Sequence, residues 1–112
     1  MKRILLKSLP DPRAPDDPAQ TVDYRLVIEQ CVRIPLDRQG GATIDEMRKG
    51  IRVLDALDAA QDAILTLEDA DWDYLVQKVE HMPWAMVDRR FVRFHDDVCN
   101  ASESTDGLLR AV

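Results

Sequence analysis

The chain has 112 residues, 46% hydrophobic and 32% charged with only four glycines, a composition that leaves little room for low-complexity sequence and fits one domain with a modest core. A net charge of −6 argues against general binding to nucleic-acid phosphates, which depends on clustered Lys and Arg releasing counterions. No run approaches the roughly 20 apolar residues of a membrane span, and MKRILLKSLPDP is interrupted too early for an export signal, so the expected setting is cytoplasmic.

Residues 1–9, with KRILLKSL, predict a short edge strand whose lysines discourage stray pairing. Residues 10–20, PDPRAPDDPAQ, hold four of the six prolines. Proline lacks an N–H and fixes φ, so this segment predicts a proline-rich arm or linker. Residues 21–100 read as a helical core domain. Thr21 is placed to cap a first helix on which Val22, Tyr24, Leu26, Val27, Ile28 and Cys31 recur at three- and four-residue spacings, ending before Pro35.

Thr43 and Glu46 form a T-x-x-E capping box at the start of TIDEMRKGIRVLDALDAA. Ile44, Met47, Ile51, Leu54 and Leu57 make its predicted core stripe, and Gly50 within it predicts close approach of a neighbouring backbone. AILTL then breaks the helical period and predicts a short strand pairing with residues 3–8. Asp69 is positioned to cap the next helix, with Trp72, Leu75, Val76, Val79 and Met82 on its inner face. A last helix is expected from Pro83 to Asn100, with Trp84, Val87, Phe91, Phe94 and Val98 as its stripe. Residues 101–112 read as a flexible tail. The expected fold is α-rich α+β, three to four helices in one compact domain with a small two-stranded β element.

Charge is unevenly spread. Between Arg52 and Lys78 there is no cation, while Asp55, Asp58, Asp62, Glu68, Asp69, Asp71 and Asp73 supply seven carboxylates. One reading is that the later carboxylates crowd a helix N-terminus, where exposed N–H groups and the dipole favour them. A calcium loop is a poor match, since D-A-D-W-D-Y-L lacks the turn glycine and a closing glutamate. The third reading is an acidic docking face of Asp62, Glu68, Asp69, Asp71 and Asp73 for a basic partner. The complementary feature is VDRRFVRF, where Arg89, Arg90 and Arg93 could answer that face within or between chains, or form a solvated salt-linked surface. Trp72 and Trp84 are the candidate aromatic anchors, serving either the core or an interface.

Candidates for catalysis are thin. There is no glycine-rich phosphate loop, no G-x-S-x-G and no dinucleotide fingerprint, and His81 before Met82, Pro83 and Trp84 reads as a helix end. Cys31 and Cys99 read as two buried free thiols. His95 and Cys99 stand one helical turn apart, but without a tighter cysteine pair no metal or cofactor is expected. No catalytic residue is nominated, and a non-enzymatic protein is the expectation.

The stretches T-I-D-E-M-R-K-G-I-R-V-L-D-A-L and L-T-L-E-D-A-D-W-D-Y-L resemble segments of small uncharacterised proteins encoded by phages and prophages of Gram-negative bacteria, over about residues 43–98. The resemblance carries no catalytic residue. It implies a virion-assembly or structural role, as a tail or head-to-tail component, with another protein as partner: a phage protein, a host protein or a second copy of the chain. The other role it implies is an early inhibitor that uses acidic surface to occupy a basic site on a host nucleic-acid-binding protein.

Overall fold

Two distant apolar segments meet to form the first sheet. In the computed structural model, which describes residues 1–37, 39–60, 63–84 and 86–101, β1 (Lys2–Leu5) pairs antiparallel with a strand at Ile64–Leu67, Ile4 standing opposite Leu65. Both residues of that pair are buried, as is Leu67, so the period-two alternation of each strand turns one face to the core. The expected pairing of AILTL with the N-terminal segment is borne out. Leu6 N–H extends the ladder to the Ala63 carbonyl at 2.6 Å, and Ala63 enters the strand with φ of 57°, a left-handed backbone that costs a non-glycine residue on the order of 1 kcal/mol.

A second ladder joins β2 (Ser8–Leu9) to β3 (Val22–Asp23), so the described residues form two small sheets where one was expected. The proline-rich segment between them is folded back on itself. Prolines donate no N–H, and the neighbouring aspartates organise the turns instead: Asp11 accepts from Arg13 N–H and Asp17 from Ala19 N–H, each at 2.9 Å, ahead of a single 3-10 turn at Pro18–Gln20.

With Val22 taken up by β3, the cap of α1 (Tyr24–Arg33) is Asp23, which accepts from Arg25 N–H at 3.0 Å, and not Thr21. Thr21 donates to the Asp17 carbonyl. The helix ends at Ile34, before Pro35, as expected. Thr43 caps α2 (Ile44–Ala59) by accepting from Glu46 N–H at 3.1 Å, but the capping box is only half formed. The Glu46 carboxylate turns away to accept from Leu36 N–H at 3.1 Å and from the Lys78 ammonium at 2.7 Å. A buried cation is the stronger partner for it.

The predicted stripe of α2 needs correction. Ile44, Met47 and Ile51 lie at the surface, while Gly50, Val53 and Leu57 are buried. Gly50 is the reason: a Cβ there would stand 3.1 Å from a Val32 methyl and 3.3 Å from the Tyr74 hydroxyl. The glycine lets α2 press this line of its surface onto α1 and the following helix, which leaves Ile44, Met47 and Ile51 outward, while Leu57 of the expected stripe is buried and Leu54 packs against the core. The close neighbours of Gly50 are thus chiefly side chains.

After β4 (Ile64–Leu67) comes α3 (Asp69–Glu80), in which Asp69 is the first helical residue. The cap position belongs to Glu68, which makes no side-chain capping bond. The last helix, α4 (Arg89–Cys99), starts later than expected: Asp88 caps it, accepting from Arg90 N–H at 2.9 Å, and Pro83, Trp84 and Val87 precede it. Residues 102–112, expected as a tail, lie outside the described residues.

Trp72, Tyr24 and Phe94 are the largest fully buried side chains. Trp72 donates its indole N–H to the Val98 carbonyl at 3.0 Å, Tyr24 packs edge-on against Phe94 with centroids 5.0 Å apart, and the Tyr24 hydroxyl donates to Asp97. These contacts hold α4 against α1 and α3. Lys78, on α3, is buried too; it donates to the Ile34 carbonyl and to Glu46, joining the end of α1 and the start of α2 to α3. The architecture is the expected α-rich α+β fold, with four α-helices among the described residues. Among the described residues no helix is long and apolar enough to cross a membrane.

Candidate functional site

The acidic residues singled out from the sequence are answered within the chain more than their spacing suggests. Asp71 pairs with Arg52 across α2 and α3 at 2.9 Å, its carboxylate largely covered, and Asp69 pairs with the N-terminal amine at 3.3 Å because β1 starts beside β4. Glu68 and Asp73 are exposed, and Asp62 lies outside the described residues. The three arginines serve a different region. Arg90 folds back on its own cap, Asp88, at 2.8 Å and donates to the carbonyls of Leu9 and Gln20, clasping the two ends of the proline-rich segment. Its hydrogen bonds hold the Asp88 carboxyl below the usual carboxylate range. Arg89 and Arg93 are exposed beside a cleft of about 290 Å³ against Pro10 and Pro12. Among the described residues no ion pair joins the arginines to Glu68, Asp69, Asp71 or Asp73.

The two tryptophans divide. Trp72 is core. Trp84 is half-buried: it stacks on Phe91 at 4.7 Å with planes 17° apart and meets Phe94 edge-on at 6.1 Å. This stack lines a groove of about 620 Å³ between the end of α3, the segment leading to α4, and α4 itself. Its walls are mostly apolar. Met86 is 61% exposed, Val92 62%, and Val87 fully so, and Glu80, Asp88, Arg89 and His95 line the groove with them. A periodicity argument that continues the helix back to Pro83 packs Val87 inward. Because Asp88 starts the helix instead, Met86 and Val87 sit on non-helical chain and their apolar surface stays open. The exposed α2 residues Met47 and Ile51 border a second, smaller depression of about 400 Å³.

At the far end of the groove His95 and Cys99, one turn apart on α4, face Glu80 of α3. Cys99 Sγ is 3.5 Å from His95 Nε2 and 3.9 Å from Glu80 Oε1, and the two latter atoms are 4.0 Å apart. Local desolvation and the carboxylates of Glu80 and Asp96 raise the Cys99 thiol above its ordinary value. Cys99 is exposed, which corrects the expectation of two buried thiols. Cys31 is buried as expected, and that burial pushes its thiol up to about 12. Sequence spacing shows the His95 and Cys99 pair but gives no hint of Glu80, which only the packing of α3 on α4 supplies.

Comparison with protein-family models, curated proteins and solved structures finds no match to this chain.

Proposed function

We propose that this chain is a non-enzymatic protein-binding module whose groove beside α4 receives an apolar segment of a partner protein. The observation that carries the reading is the Trp84–Phe91 stack in a groove lined also by exposed Met86, Val87 and Val92, with Glu80, Asp88, Arg89 and His95 as its polar residues. An aromatic stack with adaptable methionine and valine neighbours and a few polar residues has the composition of a protein interface. An apolar surface of this kind is costly to leave in water. The resemblance of residues 43–98 to phage-encoded proteins supports a setting in virion assembly, as a tail or head-to-tail component, in the bacterial host cytoplasm or the virion. A second copy of the chain is one candidate partner. The acidic-inhibitor alternative has less support, since Asp69 and Asp71 already hold internal cations.

Site-specific photo-crosslinking tests the reading. A photoreactive residue at Val92 should give crosslinked species in producing cells, and the same residue at Asp73 should give few. Crosslinks from position 73 with none from position 92 would return the partner to the acidic face. Light scattering on the purified chain, with Val92→Glu alongside, then separates a second copy from a foreign partner: self-association lost in the variant identifies the groove as a homomeric interface.

A further inference from the structure

Glu80, His95 and Cys99 belong to two helices, yet one ligand atom from each lies within 4.8 Å of the other two. The chemistry of the three is complementary: a thiolate, an imidazole nitrogen and a carboxylate oxygen are the donors that zinc takes. Ideal tetrahedral coordination, with Zn–S of about 2.3 Å and Zn–N of about 2.05 Å, sets the sulfur and nitrogen about 3.5 Å apart. Sγ of Cys99 and Nε2 of His95 are separated by that distance, 3.5 Å. Glu80 Oε1, at 3.9 and 4.0 Å from the two, needs to close by roughly half an ångström to reach coordination distance, a shift open to an exposed side chain.

A second feature concerns the other side of the imidazole. Asp96 Oδ1 is 3.3 Å from His95 Nδ1. A carboxylate there favours the tautomer that carries its proton on Nδ1 and leaves the Nε2 lone pair free. Metal-ligating histidines recur with this outer partner. One thiolate and one carboxylate in the first shell balance the charge of a divalent ion.

We propose that Glu80, His95 and Cys99 form a three-residue zinc site whose fourth position is open to water. The site is separate from the protein-binding reading of the groove and does not depend on it. With Glu80 and Cys99 exposed and His95 only half-buried, it is a site for a reversibly held ion at the groove's end and not a staple for the core. Zinc replaces the thiol proton of Cys99, which leaves to solvent, and no redox change is involved.

Cobalt(II) and zinc are the probes, used on the full chain after chelator washing. One equivalent of cobalt should produce a thiolate-to-cobalt charge-transfer band and the strong visible bands of four-coordinate cobalt, both displaced by one equivalent of zinc. Cys99→Ser should abolish the charge-transfer band although Cys31 remains. His95→Ala should weaken zinc binding by about a hundredfold or more and Asp96→Asn by about tenfold, the scale of outer-partner losses. Stoichiometric zinc should also slow alkylation of Cys99 by about tenfold in the unmodified chain, a readout that does not require any variant to fold. No charge-transfer band, a band that survives Cys99→Ser, or alkylation unchanged by zinc would overturn the site.

Discussion

The two ends of α3 treat surface chemistry in opposite ways. At its start Asp69 and Asp71, which stand in a stretch of sequence with no cation, are met by the N-terminal amine and by Arg52. Beyond its end, past Met82, the half-buried Trp84 is followed by Met86, Val87 and Val92, apolar residues that stay exposed. Charge that looks unanswered along the chain is neutralised in space, and apolar residues that look like core stripes are left open. Surplus read from sequence is therefore a poor guide to surplus on the surface, because pairing partners arrive from other elements.

The largest expected effect lies where the two ends are joined. Trp72 sits in the first turns of α3, is fully buried, and donates to Val98 of α4. Trp72→Ala should cost about 3–5 kcal/mol of stability, the usual range for emptying a large aromatic site, measured by urea denaturation. A loss under about 1 kcal/mol would mean that α4 is held chiefly by Phe94 and Tyr24, and that the groove end is independent of the acidic end.

Next in size is the buried pair of Lys78 and Glu46. Glu46→Gln leaves the ammonium without its counter-charge and should destabilise by about 3 kcal/mol. The pair also predicts a pH dependence. The hydrogen bond from Lys78, with help from Leu36 N–H, holds the Glu46 carboxyl below its ordinary value. Its folded-state pKa is depressed, so its contribution is fully present above the unfolded value of about 4.3 and is lost as pH falls through the folded one. The unmodified chain should lose stability more steeply below about pH 4.3 than Glu46→Gln does. Equal slopes in the two proteins would show that this carboxylate carries no acid sensitivity.

Much of the fold is legible in the residues. Thr43, Pro35 and the alternation of Ile64 to Leu67 each act locally, through a cap, a missing N–H and a pleat, and each of these expectations matches the structure. The misses share a cause, which is competition from a distant element. Val22 joins a ladder with Leu9, so Asp23 takes the capping role expected of Thr21. Lys78 draws Glu46 out of its capping box. Gly50, by admitting Val32 and Tyr74, rotates α2 so that Ile44, Met47 and Ile51 face outward. The groove is not legible in the spacing of apolar residues because one cap, at Asp88, decides whether Val87 points in or out.

The smallest expected effect tests the comparison most directly, by placing the same charge reversal at two neighbouring positions. Asp71 is paired and largely covered, whereas Asp73, two residues on, is exposed. If the acidic end is an internally balanced surface, Asp71→Lys should lose about 1 kcal/mol, because it removes a partner from Arg52 and sets two cations side by side. Asp73→Lys should stay within about 0.5 kcal/mol of the unmodified chain. Adding Arg52→Glu to Asp71→Lys restores an ion pair of opposite sense and should recover part of the loss, whereas the same addition to Asp73→Lys should not. Equal, near-zero effects at both positions would mean that the Arg52 contact contributes nothing and that the carboxylates of α3 are free for a partner. In that case the two ends of the helix would differ in kind of surface, acidic against apolar, and not in whether the chain itself has already used it.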